Sequence, residues 1–219
     1  MGKTILVTGK EGFLGNKISQ HFLDQGYRVA ASIPPRKDTF PSVEEEGRLF
    51  VFPWSRRSAV AAKNFVLQTL QELETLDEAW IIVTPEPDSF GLAEMAPLAL
   101  DENLDGGIKG LLYLVRELLL RQVTQPSLVL RFVFFDEDPS NLPPLAALHY
   151  HGLKALVTAL LAQARKRHLT VWAYETMIPR IEEYVAYLLT SKTTLPSRWN
   201  VWGGKKSLMN SLFTKKENP

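Results

Sequence analysis

Tyr150 and Lys154 are the two residues of this sequence whose types and spacing most directly suggest chemistry. They stand four residues apart in "YHGLK", and residues four apart on a helix lie on the same face. An ammonium group beside a phenol favours the phenolate and therefore lowers a tyrosine pKa from its usual value of about 10. If the segment is helical, the pair predicts a tyrosine with a lowered pKa.

Three acidic residues, Asp136, Glu137 and Asp138, directly follow an apolar run in "FVFFDED". A carboxylate donates no hydrogen bond to a substrate carbonyl unless it is protonated, and its charge opposes a neighbouring phenolate. Two unit charges about 5 Å apart, at an effective dielectric of about 20, interact by roughly 3 kcal/mol. If these acids face Tyr150, they offset most of what Lys154 contributes.

A glycine-rich stretch, "TGKEGFLG", occupies residues 8–15. Glycines at this spacing, between a strand and a helix, permit a tight turn, close approach of a phosphate and close packing of the helix on the strand. The free N–H groups at the start of the helix favour an anion. The stretch predicts a pyrophosphate site, although a tight turn without a ligand has the same pattern. The candidate cofactor-binding residues are Gly9, Glu11, Gly12, Phe13, Leu14 and Gly15.

The residue that closes the second predicted strand bears on which dinucleotide binds. Ile33 stands there in "AASIPPRKD", with Arg36 and Lys37 shortly after it. An acid would bind the ribose 2′-hydroxyl of NAD, whereas an arginine favours the 2′-phosphate of NADP. The stretch therefore favours NADP over NAD, with solvated surface charge as the alternative. The pair Arg56-Arg57 is interpreted as solvated surface.

Hydrophobic patterning predicts strands that alternate with helices. Such alternation indicates a Rossmann-type α/β fold, a doubly wound parallel sheet with helices on both faces. We expect six to seven strands in one domain over residues 1–219. The predicted strands are 3–9, 27–33, 47–54, 78–84, 127–135, 169–175 and, as the seventh, 198–204; the predicted helices are 13–26, 58–77, 102–122, 143–167 and 179–191.

Composition excludes several classes of function. The formal net charge of +1 does not indicate a nucleic-acid or anionic-membrane partner. The absence of cysteine excludes disulfides and cysteine metal sites, and the four histidines form no metal-binding motif. No apolar run approaches the roughly 20 residues that span a bilayer, and no signal peptide is recognisable. We therefore expect a cytoplasmic protein without a metal or a membrane partner.

The sequence resembles the short-chain dehydrogenase/reductase family over nearly its whole length. The resemblance lies in "TGKEGFLG", in "ENLDGGIKG", in the Tyr150-x-x-x-Lys154 motif and in the closing stretch 181–204 with its pair Gly203-Gly204. It implies that Tyr150 is the general acid/base and that Lys154 lowers the tyrosine pKa and holds the nicotinamide ribose. It also implies that Asn103 orders a water molecule in the proton relay.

The sequence departs from the family pattern at several functional positions. Glu137 stands where the family has the serine that polarises the carbonyl, thirteen residues before the tyrosine. Thr176-Met177 replaces a Pro-Gly pair that shapes the nicotinamide pocket, and "IIVTPEP" replaces the usual Asn-Asn-Ala-Gly. The segment that covers the substrate is nearly absent, because Pro179 leads directly into the last predicted helix.

These departures leave three functional interpretations open. The first is an NAD(P)-dependent oxidoreductase that reduces a small carbonyl compound or oxidises an alcohol, with Tyr150, Lys154, Asn103 and Glu137 as its catalytic residues. The second is a catalytically degenerate protein that acts as a nucleotide-binding or interaction module, with or without a cofactor. The third is a non-redox epimerase, dehydratase or lyase in which Glu137 or Asp136 is the base.

The helices predicted at 102–122 and 143–167 bear on the oligomeric state. Both are richer in Leu, Ala and Val than one buried face requires. In the family these two helices commonly form a dimer interface. The resemblance therefore implies a homodimer, with burial of both helices against the sheet as the alternative.

Overall fold

One β-sheet of eight strands contains every strand of the described residues. The computed structural model describes residues 2–37, 39–85, 92–138, 141–167, 169–176, 178–190 and 195–203. The strand order is β3-β4-β2-β1-β5-β6-β7-β8, and all neighbours are parallel except β3 and β4. The strands are β1 (Thr4–Val7), β2 (Arg28–Ile33), β3 (Ser42–Glu44), β4 (Leu49–Pro53), β5 (Glu78–Val83), β6 (Val129–Phe134), β7 (Thr170–Thr176) and β8 (Trp199–Trp202).

The sheet confirms the expected Rossmann-type architecture but corrects the number of strands. The expectation of six to seven strands misses β3, a short antiparallel strand at the edge of the sheet. All three β3 side chains are exposed, so this strand leaves no pattern of alternating burial in the sequence.

Helices cover both faces of the sheet. Helices α1 and α6 share one apolar cluster with Ile5 and Val7, whereas α2, α4 and α5 share the other with Leu6. This division follows from the alternation of side chains along β1, which points successive residues to opposite faces. The helices are α1 (Phe13–Asp24), α2 (Ala59–Leu73), α3 (Pro97–Leu104), α4 (Gly110–Thr124), α5 (Pro144–Arg167) and α6 (Ile181–Thr190).

The helix predicted at 102–122 is not continuous. Helix α3 begins at Pro97, and a π-helical segment, Asp105–Lys109, separates it from α4. Glycines here allow close approach of two neighbours. A Cβ on Gly107 would lie 2.3 Å from the His149 ring, and one on Gly110 would lie 2.3 Å from the carbonyl oxygen of Arg56. The π-helical segment thus packs closely on α5, and the start of α4 packs closely on the loop after β4.

Helix α5 corrects the expectation that no apolar segment approaches membrane-spanning length. Its 24 residues include an 18-residue window of mean hydropathy 1.3, so by length and composition alone it could cross a membrane. A core helix meets the same criterion, and α5 buries residues such as Leu153, Val157 and Leu161 in the cluster against the sheet. The helix also carries apolar residues on its solvent-facing side, where Leu148 is 49% exposed. Apolar residues on both sides account for its high mean hydropathy.

Candidate functional site

Two adjoining cavities lie at the carboxyl ends of the central strands. We call one the glycine-turn cavity, about 490 Å³ in volume and lined by residues including Gly9, Gly12 and Glu137. The other is the tyrosine cavity, about 520 Å³ in volume and lined by residues including Asn103 and Tyr150. Together they form a cleft beside β1 and β5, where the strand order reverses, the usual ligand position in open α/β sheets. Both cavities are lined by Glu11, Pro34, Arg56, Ile82, Thr84 and Pro85.

The glycine turn between β1 and α1 is tight. Gly9 has a φ of +69°, which favours glycine, and its carbonyl oxygen accepts a hydrogen bond from the Gly12 N–H at 3.0 Å. A Cβ on Gly15 would lie 2.2 Å from that same oxygen, so α1 packs directly on the turn. A Cβ on Gly12 would meet only the Gly9 oxygen, at 3.5 Å. The lack of a side chain at Gly12 therefore leaves the cavity wall open.

The start of α1 presents backbone donors to the glycine-turn cavity. Gly12 is the N-cap residue and supplies no side-chain cap, and the first-turn N–H groups of a helix have no intrahelical acceptor. Phe13, Leu14 and Gly15 form that first turn and line the cavity. Such an arrangement suits an anion like a pyrophosphate. The Glu11 carboxylate opposes an anion here, whereas Arg56 supplies a cation to the same cleft.

The arginines at the cleft are not those that sequence reasoning selected. Arg36 is exposed and lines neither cavity, because the chain turns away after Pro34-Pro35, and its backbone N–H donates to Thr39 Oγ1. Arg56 is half-buried, with its guanidinium 5.6 Å from the Trp54 ring centroid. Arg57 lines the tyrosine cavity and pairs with Glu102 at 3.3 Å. The interpretation of the pair as solvated surface was therefore wrong for Arg56, whereas Arg57 is exposed as expected.

The structure brings Tyr150 and Asn103 to the same cavity. The Tyr150 ring is 3% exposed and packs edge-on against Phe134, with ring centroids 5.4 Å apart. The Asn103 side chain is exposed, and its Nδ2 donates to the carbonyl oxygen of Ala99 at 2.8 Å. His149 also lines this cavity.

The electrostatics of Tyr150 run opposite to the expectation from its spacing. Burial raises the pKa of Tyr150 well above its usual value, and the charges of Glu175 and Asp136 raise it further. Lys154 does not offset this, because its ammonium forms an ion pair with the Glu175 carboxylate. The Lys154 Nζ lies 5.5 Å from the Trp199 ring centroid, and Lys154 lines neither cavity. Tyr150 is therefore a neutral phenol at neutral pH.

Comparison with known proteins identifies the fold. A scan against protein-family models and a search of curated proteins both give no match. A short-chain dehydrogenase/reductase variant from Serratia marcescens superposes with a TM-score of 0.69 at 17% identity, over 92% of this chain and 95% of that one. A short-chain dehydrogenase from Bacillus anthracis gives 0.73 at 13% identity, over 93% and 96%. A metagenomic short-chain oxidoreductase in complex with NADP gives 0.72 at 15% identity, over 92% and 96%.

This chain has the fold of the short-chain dehydrogenases/reductases. The resemblance first noted in the glycine turn and in the Tyr150-x-x-x-Lys154 motif is confirmed at that level. These identities are all below 20%. The roles of residues in the cleft are therefore derived from this chain and not carried over from those proteins.

Within the short-chain dehydrogenase fold, the three acids after β6 occupy distinct places. Asp136 and Glu137 line the glycine-turn cavity but not the tyrosine cavity. Glu137 is exposed, whereas Asp136 is half-buried and its Oδ1 accepts the Asp138 N–H at 2.7 Å. Asp136, rather than Glu137, raises the pKa of Tyr150. Glu137 therefore does not stand beside Tyr150 as the serine does in the family pattern.

The carboxyl ends of β7 and β8 meet at Ile178, outside the lining of the two cavities. Thr176 is buried, and its Oγ1 donates to the carbonyl oxygen of Ile178 at 2.7 Å. Gly203 has a φ of +78°, and a Cβ there would lie 2.4 Å from the Ile178 side chain. Met177 and Gly204, which sequence reasoning also singled out, lie outside the described residues. Among the described residues, no group of three potential ligands could hold a metal ion.

Sequence reasoning missed Arg56, Glu175 and Trp199. Glu175 and Trp199 lie far along the chain from Lys154, which both contact, and Arg56 lies far from the glycine turn whose cavity it lines. The folding of the sheet and its loops brings these residues together. Glu175 is opposite Phe134 in the β6–β7 pairing, and Trp199 is opposite Ala173 in β7–β8. The only local signal was an acid within the apolar strand "TVWAYET", where a buried charge needs a partner.

Proposed function

We propose that this protein is an NAD(P)-dependent oxidoreductase of the short-chain dehydrogenase/reductase family, acting on a small carbonyl compound or alcohol. The observation that carries the proposal is that the glycine turn and Tyr150 open onto adjoining cavities at the strand-order reversal. A phosphate-binding turn next to a buried phenol is what hydride transfer to a carbonyl requires. The fold likeness to an oxidoreductase bound to NADP supports the same reading.

The cofactor would be held by the glycine turn, by the first turn of α1 and by Arg56. The residues on this surface are Gly9, Glu11, Gly12, Phe13, Leu14 and Gly15. When bound, the nicotinamide supplies a hydride to the carbonyl carbon. NADP remains our preferred cofactor over NAD, because Ile33 rather than an acid closes β2 and Arg56 and Arg57 line the tyrosine cavity.

The proton chemistry favours reduction. A neutral Tyr150 donates a proton or a hydrogen bond to the oxygen of a carbonyl as that oxygen gains negative charge. The reverse reaction needs a phenolate to accept a proton from an alcohol, and burial together with Glu175 and Asp136 holds the Tyr150 pKa too high for that. Asn103 lines the same cavity and is our candidate for orienting a water molecule there.

A second candidate is a nucleotide-binding module that does not catalyse reduction. The Lys154–Glu175 ion pair favours it, because it withdraws the cation that would otherwise assist Tyr150. In this case the glycine turn binds the nucleotide, and the protein acts through a partner. The non-redox interpretation, with Glu137 or Asp136 as the base, has less support, because both acids line the glycine-turn cavity and not the cavity that contains Tyr150.

A reductase screen separates the two candidates. NADPH oxidation would be followed at 340 nm with a panel of small aldehydes and ketones. The proposal expects turnover that falls at least about a hundredfold in Tyr150→Phe, the usual contribution of a general acid. Tyr113→Phe, a half-buried tyrosine on α4 that lines neither cavity, is the matched control. NADPH binding without turnover on any carbonyl would favour the nucleotide-binding module.

We also propose a cytoplasmic homodimer with one domain over residues 1–219 and no nucleic-acid or membrane partner. Exposed apolar side chains on α4 and α5 support the dimer, since Leu112, Leu120, Val123 and Leu148 are all at least 38% exposed. Exposed apolar residues mark an interface when they form a contiguous patch, and a dimer would bury such a patch on α4 and α5. Sedimentation velocity of the wild type and of Val123→Glu tests it: a monomeric wild type would contradict the proposal.

A further inference from the structure

Glu175 lies on the sheet face that supports α5. In the β6–β7 pairing it stands opposite Phe134, and residues paired in register point to the same face. Phe134 contacts both the Tyr150 ring and the Trp199 ring, each with centroids 5.4 Å apart. The Glu175 carboxylate therefore shares a face with the rings that surround Tyr150.

A carboxylate on this face is unusual because its neighbours along β7 are apolar. Val171 and Ala173 point the same way and are fully buried. The Glu175 side chain is only 13% exposed. A carboxylate in such surroundings keeps its charge only if a cation is bound to it. Lys154, one turn beyond Tyr150 on α5, is that cation.

Lys154 has its ammonium group bound outside both cavities. Its ammonium contacts Glu175 and lies over the Trp199 ring, and the side chain is 36% exposed. Neither Lys154 nor Glu175 lines either cavity. Lys154 lies on the same face of α5 as Tyr150, but its ammonium group binds Glu175 on β7.

We propose that Glu175 is a positioning residue that binds Lys154 and keeps it away from Tyr150 and from the nucleotide. NADPH therefore binds less tightly than it would if Lys154 were free. The inference rests on the proposed function, because it assigns Lys154 a place in that site once it is released. Removal of the Glu175 charge is therefore expected to increase the affinity for NADPH.

The first test compares nucleotide affinity in matched variants. Glu175→Gln removes the charge with little change in shape, and Glu183→Gln is the control, because Glu183 pairs with Arg180 on the surface of α6. NADPH affinity would be measured by fluorescence titration. A released lysine that forms one charge-assisted hydrogen bond tightens binding by about tenfold. We expect that gain in Glu175→Gln, no change in Glu183→Gln, and loss of the gain in Glu175→Gln/Lys154→Met.

The second test needs no nucleotide. Phenolate absorbance at 295 nm, with Tyr150→Phe spectra subtracted in each background, follows the ionisation of Tyr150. The charged and titratable groups near it are Lys154, Glu175, Asp136, His151 and Tyr184, and the last three stay in every variant. We expect Tyr150 to ionise at a lower pH in Glu175→Gln than in Glu175→Gln/Lys154→Met, because only the single variant frees a cation beside the phenol.

The outcomes distinguish this inference from the proposed function. If Glu175→Gln binds NADPH no more tightly than wild type, or if its gain persists without Lys154, the inference is overturned. If no variant binds NADPH, the proposed function fails, and the ionisation of Tyr150 then decides the role of Glu175. Equal ionisation in the single and double variants overturns it. Glu175→Leu, apolar like Val171 and Ala173, replaces the amide variant if that one does not fold.

Discussion

Substitution of Gly15 by alanine is expected to destabilise the protein even without a ligand. The new Cβ would lie 2.2 Å from the Gly9 oxygen, 2.6 Å from the Gly9 carbonyl carbon and 2.9 Å from the Thr8 oxygen. These neighbours are backbone atoms, so no side chain can rotate away. The first contact is short by more than about 1 Å relative to a normal one.

The size of the effect follows from two opposing terms. Overpacking against a rigid neighbour costs about 3 kcal/mol, whereas alanine in place of glycine in a helix returns about 1 kcal/mol. The net loss of about 2 kcal/mol lowers the Tm of a chain this size by about 4–8 °C. Differential scanning calorimetry of the wild type and of Gly15→Ala measures it.

Gly12→Ala is the matched substitution, which is expected to weaken NADPH binding while leaving the stability of the free protein nearly unchanged. Its Cβ would meet only the Gly9 oxygen, at 3.5 Å, so the free protein should lose less than about 1 kcal/mol. Its methyl group would instead narrow the approach of a phosphate, and NADPH affinity should fall by at least about tenfold. A Gly15→Ala Tm equal to wild type, or undiminished NADPH binding by Gly12→Ala, would refute the account of the turn.

Three further predictions concern charge. Glu78→Gln removes the partner of Arg131 at 2.6 Å and of Lys3 at 2.9 Å. Breaking a buried pair costs about 3–5 kcal/mol, so the Tm should fall by roughly 6–20 °C; a Tm within 2–4 °C of wild type, about 1 kcal/mol, would contradict it. Burial raises the Tyr150 pKa above the usual tyrosine value of about 10, so its contribution to stability is complete below that pH and is lost as the pH rises through the raised pKa. Urea unfolding between neutral pH and pH 11 should therefore show a smaller alkaline loss in Tyr150→Phe; equal losses would argue against it. Arg56→Ala should weaken NADPH binding about tenfold, and NADH binding less, whereas Arg36→Ala should leave both unchanged; isothermal titration calorimetry decides, and the reverse pattern would restore Arg36 to the site.

The sequence was enough to predict most of the fold because burial is periodic in it. The strands β1, β2, β4 and β5 carry continuous apolar runs, as strands buried on both faces must. The edge strand β3 was not predicted from the sequence, because none of its side chains is buried. The π-helical segment Asp105–Lys109 was not predicted, because its Gly107 packs against His149, which is distant in sequence.

The site was predicted less completely than the fold. The glycine turn was recognisable because all its parts are local. The partner of Lys154 was not, because Glu175 is set beside it by the pairing of β6 with β7 and by the packing of α5. The position of Arg56 was not predictable for a similar reason, since Arg36 lies outside both cavities after the two prolines that follow β2, while the loop after β4 enters the cleft.

Thermal unfolding with and without nucleotide tests the central claim most directly. NADPH at about a hundred times its Kd should stabilise the protein by about 2.7 kcal/mol, which raises the Tm by roughly 5–10 °C. We expect that rise with NADPH and a smaller one with NADH at equal concentration. No rise with either nucleotide would contradict the assignment of the cleft as a dinucleotide site.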